Sequence, residues 1–135
     1  MIKTSHWLAT LPPDHVKVGI SRGVPRNGRI GKGYRMYRRL APGVWFNSLT
    51  APEFTRRYYE EILDLLDPQQ VYDDIMRLAD GKVAVLICWE KPNDPPHWCH
   101  RELAARWLSQ ELGIVVPEVG FETLTQDQHP LRPPT

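Results

Sequence analysis

Cysteine is scarce in this 135-residue chain, which has only Cys88 and Cys99. Two cysteines without a secretory leader are too few for a disulfide scaffold, and they read as reduced thiols that matter for chemistry, if at all. Long apolar runs are also missing. No stretch approaches the ~18 consecutive apolar residues of a membrane span. Met1 to Thr10 lacks the apolar run and small-residue cleavage site of a signal peptide. A soluble, cytoplasmic protein with no membrane partner is expected. Net charge is small, +1 from 17 basic and 16 acidic side chains, which taken alone disfavours a dedicated nucleic-acid binder.

The charge is unevenly placed. No acid occurs between His15 and Pro52; residues 1–52 hold nine basic and one acidic side chain, residues 53–135 eight and fifteen. Near-neutrality is a cancellation between a cationic first part, at +8, and an acidic second part, at −7. The distribution favours an anionic ligand that the total disfavours.

At 41% hydrophobic, the chain has material for one core and a single domain. Its 13 prolines, roughly twice average usage, stiffen the connections. Val16 to Ser21 alternates apolar with polar or small residues and reads as a strand. Gly23 to Gly43, with five glycines and two prolines, reads as a long loop of the kind that carries function. Val44 to Leu49 reads as a second, aromatic-rich strand. Thr50-Ala51-Pro52-Glu53 has the form of a capping box, and Phe54, Tyr58, Ile62 and Leu65 follow at helical spacing. Asp67-Pro68 repeats the start signal ahead of Val71, Ile75, Leu78 and Ala79, with Gly81 as the stop.

Val83 to Cys88 is a continuous apolar run of strand length, the pattern of a central strand covered on both faces. A helix over His97 to Leu112, stopped by Gly113, and a short edge strand over Ile114 to Val119 complete the series. The order β, β, α, α, β, α, β predicts a small three-layer α/β domain over 1–122, with a mainly parallel sheet, helices on both faces and a proline-rich tail over 123–135.

Familiar motifs fail. Gly19-Ile20-Ser21-Arg22-Gly23 has the letters of a nucleophile elbow but is followed by Pro25 and glycines, not by a helix. Gly31-Lys32-Gly33 lacks the spacing and hydroxyl of a phosphate loop. Cys88, His97, Cys99 and His100 contain enough ligand atoms for zinc but not the paired spacing of structural sites, and no metal or other cofactor is expected.

Two constellations remain. Trp98-Cys99-His100-Arg101-Glu102 opens a helix directly after the central strand, where α/β sheets bind ligands and a helix N-terminus favours anions. There the dipole, His100 and Arg101 favour a Cys99 thiolate, although neighbours on a helix point about 100° apart, so at most two of the three face one ligand. The alternative is a capped helix start whose His100 and Arg101 bond loop carbonyls. The second constellation is cationic: Lys17, Arg22, Arg26, Arg29, Lys32, Arg35, Arg38 and Arg39, interleaved with Tyr34 and Tyr37, combine phosphate donors with stacking faces. It reads otherwise as a solvated loop paired with the acidic helices. Glu90, at the strand end beside Trp89, is placed for acid–base or nucleophilic work, or as an ion-pair partner of Arg22 or Arg101.

Gly19 to Arg26, Leu40-Ala41-Pro42 and above all Leu86-Ile87-Cys88-Trp89-Glu90 followed by Cys99-His100-Arg101 resemble the bacterial family catalogued as domain of unknown function 488, over most of residues 16–120. The resemblance implies a compact α/β fold and a site at Arg22, Glu90, Cys99, His100 and Arg101, with no settled reaction. The expectation is an enzyme-like domain that binds a phosphate-bearing ligand: a nucleotide, a nucleoside or a nucleic-acid end. Glu90, Cys99 and His100 are its candidate catalytic groups, and Ser21, Arg22, Arg26, Lys32 and Arg101 its ligand contacts. The rivals are a non-catalytic module binding nucleic acid or protein through residues 22–39, and a thiol-redox protein using Cys99.

Overall fold

The computed structural model describes residues 1–26 and 30–135; Arg29 of the cationic segment lies outside them. Four strands, β1 (Ile2–His6), β2 (His15–Gly19), β3 (Arg35–Met36) and β4 (Val83–Cys88), form one sheet in the order β1-β4-β2-β3. Every pairing is parallel. Three helices, α1 (Ala51–Glu61), α2 (Pro68–Ala79) and α3 (His100–Leu112), complete the small α/β domain. Among the described residues no helix is long and apolar enough to cross a membrane.

The apolar run Val83 to Cys88 lies between β1 and β2 in the sheet, as its lack of alternation predicts. The side chains of Ala84 to Ile87 divide between two cores. Ala84 and Leu86 join Val16, Val18 and Ile2 beneath the buried residues of all three helices. Val85 and Ile87 join Trp7 on the opposite face, where the cover is Leu11, Val24, Ile30, Tyr34, Met36 and Val119. The layer over that second face is therefore built from connecting segments, not from the helices that the sequence predicts there.

Local chemistry explains the helix boundaries. Thr50 caps α1 by accepting from the Glu53 amide at 3.4 Å, with proline in the first turn. Asp67 caps α2 by accepting from the Gln69 amide at 3.0 Å. Asp80, at φ 50°, takes the left-handed cap position of α2 ahead of Gly81. Gly113, at φ 68°, ends α3. The Phe54–Tyr58 stripe is buried, but α1 stops at Glu61, and a one-turn 3-10 helix, Leu63–Leu65, shifts the phase. Leu63 is buried in place of Leu65, which is 76% exposed.

Several segments differ from expectation. The polar N-terminus forms β1, paired to β4 from Ile2 through His6. Its inward positions Thr4 and Ser5 are polar, so no hydrophobic alternation announces it. Val44 to Leu49 forms turns instead of a strand: the Phe46 amide donates to Gly43 O at 3.1 Å and the Ser48 amide to Trp45 O at 3.0 Å. Trp45 packs edge-on against Phe54 and donates its indole N–H to Glu61 at 3.1 Å, so its partner is α1, not the sheet.

Ile114 to Val119 meets β1 through a single bridge, Thr4 to Glu118, because Pro117 has no N–H to extend the ladder. The segment from Thr123 onward, read as a tail, packs into the molecule. Gln126 brackets the backbone of Val116 with two side-chain hydrogen bonds. His129 and Leu131 are buried, and Leu131 O accepts from the Cys99 amide at 3.0 Å.

Candidate functional site

In a parallel sheet all strand carboxyl ends share one edge, where ligand crevices form. Here the edge carries Ser21 and Arg22 just beyond β2, Trp89 and Glu90 just beyond β4, and the Cys99–His100 start of α3. These six residues line one cleft of about 830 Å³ with Phe46, Phe54 and Trp98. Of the sequence-predicted residues, Ser21, Arg22, Glu90, Cys99 and His100 come together in it.

Arg22 is exposed, lies with its guanidinium 5.8 Å from the centre of the Phe46 ring, and donates once, to Pro42 O at 3.1 Å. No carboxylate pairs with Arg22 among the described residues, so most of its five N–H donors remain available. Ser21 is committed: it accepts the Trp7 indole N–H at 2.9 Å and donates to Gly23 O at 2.5 Å. Its hydroxyl is a structural tie, in keeping with the failed nucleophile-elbow motif. Glu90 has no ion-pair partner among the described residues, and burial raises its carboxyl above the ordinary carboxylate range.

Cys99 is the N-cap of α3, but its side chain makes no capping bond. Its sulfur instead lies against that of Cys88, with the Cα atoms 7.3 Å apart. The two cysteines are not separate: the end of β4 and the start of α3 converge, and Cys88 and Cys99 fall at the point of convergence. His100 lies between the Phe54 and Tyr58 rings. Its Nε2 is 2.7 Å from Ile20 O. A carbonyl can only accept, so Nε2 carries the proton and Nδ1 is a bare lone pair, facing Cys99 Sγ at 3.7 Å. Burial lowers the imidazole to a pKa of about 4, which keeps it neutral.

Three expected ligand contacts are elsewhere. Arg101 turns away from the cleft, is fully buried and is held by Glu118. Two of the three helix-start residues, Cys99 and His100, line the cleft, the most that helical geometry allows. Arg26 is exposed and outside the cleft lining. Lys32 lines a separate hollow of about 290 Å³ at the other end of β2, beside His15 and Lys82.

Much of the cationic segment is engaged locally: Lys17 donates to Trp7 O, Arg35 to Gly33 O, Arg38 to Arg22 O, and Arg39 lies 3.9 Å from Asp74. The aromatic wall was not anticipated. The sequence pattern gives Phe46 to a strand, Phe54 to the core and the stacking faces to Tyr34, Tyr37 or Trp89, of which Trp89 alone lines the cleft. Searches of protein-family models, curated proteins and solved structures return no match to this chain.

Proposed function

We propose that the cleft binds a nucleotide-class ligand, a flat ring carrying one phosphate, and that Glu90 is the acid–base group beside it. The observation that carries this reading is the pairing of an unpaired cation with an aromatic wall. Arg22 is the one permanently charged basic residue in the described lining, and Phe46, Trp89 and Trp98 supply ring faces around it. A volume of about 830 Å³ lies within the range of small-molecule sites. A single guanidinium matches a monophosphate better than a triphosphate or a nucleic-acid backbone, both of which ask for several cations.

The engagement of Lys17, Arg35, Arg38 and Arg39 with their neighbours also favours this reading over an extended nucleic-acid surface. Glu90 is preferred to Cys99 and His100 as the acid–base group, because the Cys99 sulfur lies against that of Cys88 and the His100 Nε2 proton is held by Ile20 O. The resemblance in Cys-x-Glu and Cys-His-Arg belongs to the same proposal, with Glu90 as its reactive member.

A thermal-shift screen of nucleosides and nucleoside monophosphates tests it. A ligand at a hundred times its dissociation constant adds about 2.7 kcal/mol to stability. Glu90→Gln should keep that stabilisation, and Arg22→Ala should lose it for the phosphorylated compounds. No stabilisation by any of these compounds would refute the reading.

A further inference from the structure

Beside the nucleotide-class cleft, and independent of what fills it, Cys88, Cys99 and His100 each offer one ligand atom, and the three atoms lie within 4.8 Å of one another. All three residues are buried, and Cys99 and His100 form part of the cleft wall. We propose that the reduced chain holds a zinc-class divalent ion here, ligated by the Cys88 and Cys99 thiolates and His100 Nδ1, with its remaining position open to the cleft.

The geometry carries the proposal. Bonds of about 2.3 Å to sulfur and 2.0 Å to nitrogen at a tetrahedral angle place those ligands roughly 3.6 Å apart. Cys99 Sγ and His100 Nδ1 stand 3.7 Å apart. The Cα atoms of Cys88 and Cys99 are 7.3 Å apart, wider than the usual ~4.4–6.8 Å of a disulfide. Tetrahedral zinc holds two sulfurs about 3.8 Å apart, so loading requires the sulfurs to separate, and the wide backbone spacing accommodates that.

The outer contacts are those of a ligating set. His100 donates its other ring N–H to Ile20 O at 2.7 Å, which fixes the tautomer that leaves Nδ1 free to coordinate. Arg101 Nη1 points at Cys88 Sγ from 3.0 Å, a charge-assisted donor that favours the thiolate. Charge balances as well. Two thiolates neutralise a divalent ion, the imidazole is neutral, and Arg101 is compensated by Glu118. Binding releases one proton from each thiol. Glu90 Oε2 lies 3.7 Å from Cys88 Sγ. Three protein ligands and one exchangeable position make a catalytic rather than a structural arrangement.

The test is cobalt titration of the full chain, reduced and kept anaerobic in a phosphine, with no nucleotide present and both thiols counted beforehand. One Co²⁺ per chain should bind and give a thiolate-to-cobalt charge-transfer band with the intense visible bands of tetrahedral cobalt; Zn²⁺ should displace it. Cys99→Ser places a favoured N-cap residue at the start of α3 and should weaken binding by at least the ~10–100-fold typical of lost outer partners. Circular dichroism should confirm its fold. His100→Gln should weaken binding likewise. The proposal is overturned if the folded, reduced chain binds neither ion, if the cysteines stay joined in reductant, or if Cys99→Ser binds cobalt as tightly as the parent. Because no nucleotide is involved, these outcomes are independent of the ligand reading.

Discussion

Arg101 and Glu118 meet in a fully buried, two-point ion pair: Nε to Oε1 at 3.0 Å and Nη2 to Oε2 at 2.7 Å. The remaining donor, Nη1, reaches Glu90 O at 2.7 Å and Cys88 Sγ at 3.0 Å. Glu118 Oε1 also accepts from the Thr4 hydroxyl at 2.7 Å. One guanidinium therefore ties together the end of β4, the start of α3 and the strand-like segment beside β1. Through Nη1 it also holds the backbone carbonyl of Glu90, a residue of the cleft wall.

Removing one partner of such a pair leaves a buried charge alone. Arg101→Met or Glu118→Gln should each destabilise the fold by about 3–5 kcal/mol, read as a lowered denaturant midpoint with unchanged slope. Arg101→Lys should recover only part of the loss, because an ammonium cannot make the two-point contact.

Stability should fall in mild acid through His129. Leu131 N–H donates to His129 Nδ1 at 3.1 Å, so Nε2 carries the proton and donates to Thr4 Oγ1 at 2.8 Å. Burial lowers its pKa to about 4, despite the pull of Glu118. The unfolded chain takes up this proton near pH 6.5, the folded chain only near 4. As pH drops through that window the unfolded state binds more protons, so stability declines by up to roughly 3 kcal/mol. Denaturation at pH 7, 6, 5 and 4 should show the decline, and His129→Gln, weaker at pH 7, should show a shallower one. Equal slopes in the two proteins would exclude His129 as the cause.

Gly19 has no room for a side chain. A Cβ there would lie 2.6 Å from Met36 Sδ and 2.6 Å from the Trp7 ring. Methionine can move, but Trp7 is anchored by its N–H to Ser21. Gly19→Ala should cost about 1–3 kcal/mol, with a change in the near-ultraviolet dichroism of tryptophan.

The C-terminal segment should behave as core. Leu131 is fully buried and packs with Cys88 and Cys99. Leu131→Ala should destabilise by about 2–5 kcal/mol, where a true tail would show almost no change in chemical denaturation.

These cases show why parts of the molecule were legible in the sequence and others were not. Val83 to Cys88, the caps Thr50 and Asp67, and Gly113 act locally, and each declares its element. The first strand, Ile2–His6, does not, because Thr4 is buried through bonds to Glu118 and His129 more than 110 residues away. The aromatic pattern of Val44 to Leu49 suits a strand, yet Trp45 finds its partners on α1. At the site, the carboxyl ends of the strands and the Cys99 helix start were readable from spacing and topology. The inward turn of Arg101 was not, since its partner Glu118 lies in a segment whose placement depends on a single bridge to Thr4.

The most direct test of the account is calorimetric titration of the parent and Arg22→Ala proteins with matched nucleosides and nucleoside monophosphates. A charge-assisted hydrogen bond contributes about 1.5–3 kcal/mol, and 1.4 kcal/mol is tenfold in affinity. The account predicts one site per chain, a monophosphate bound at least about tenfold more tightly than its nucleoside, and loss of that preference in Arg22→Ala. No binding by the parent protein, or a phosphate preference that survives without Arg22, would contradict it.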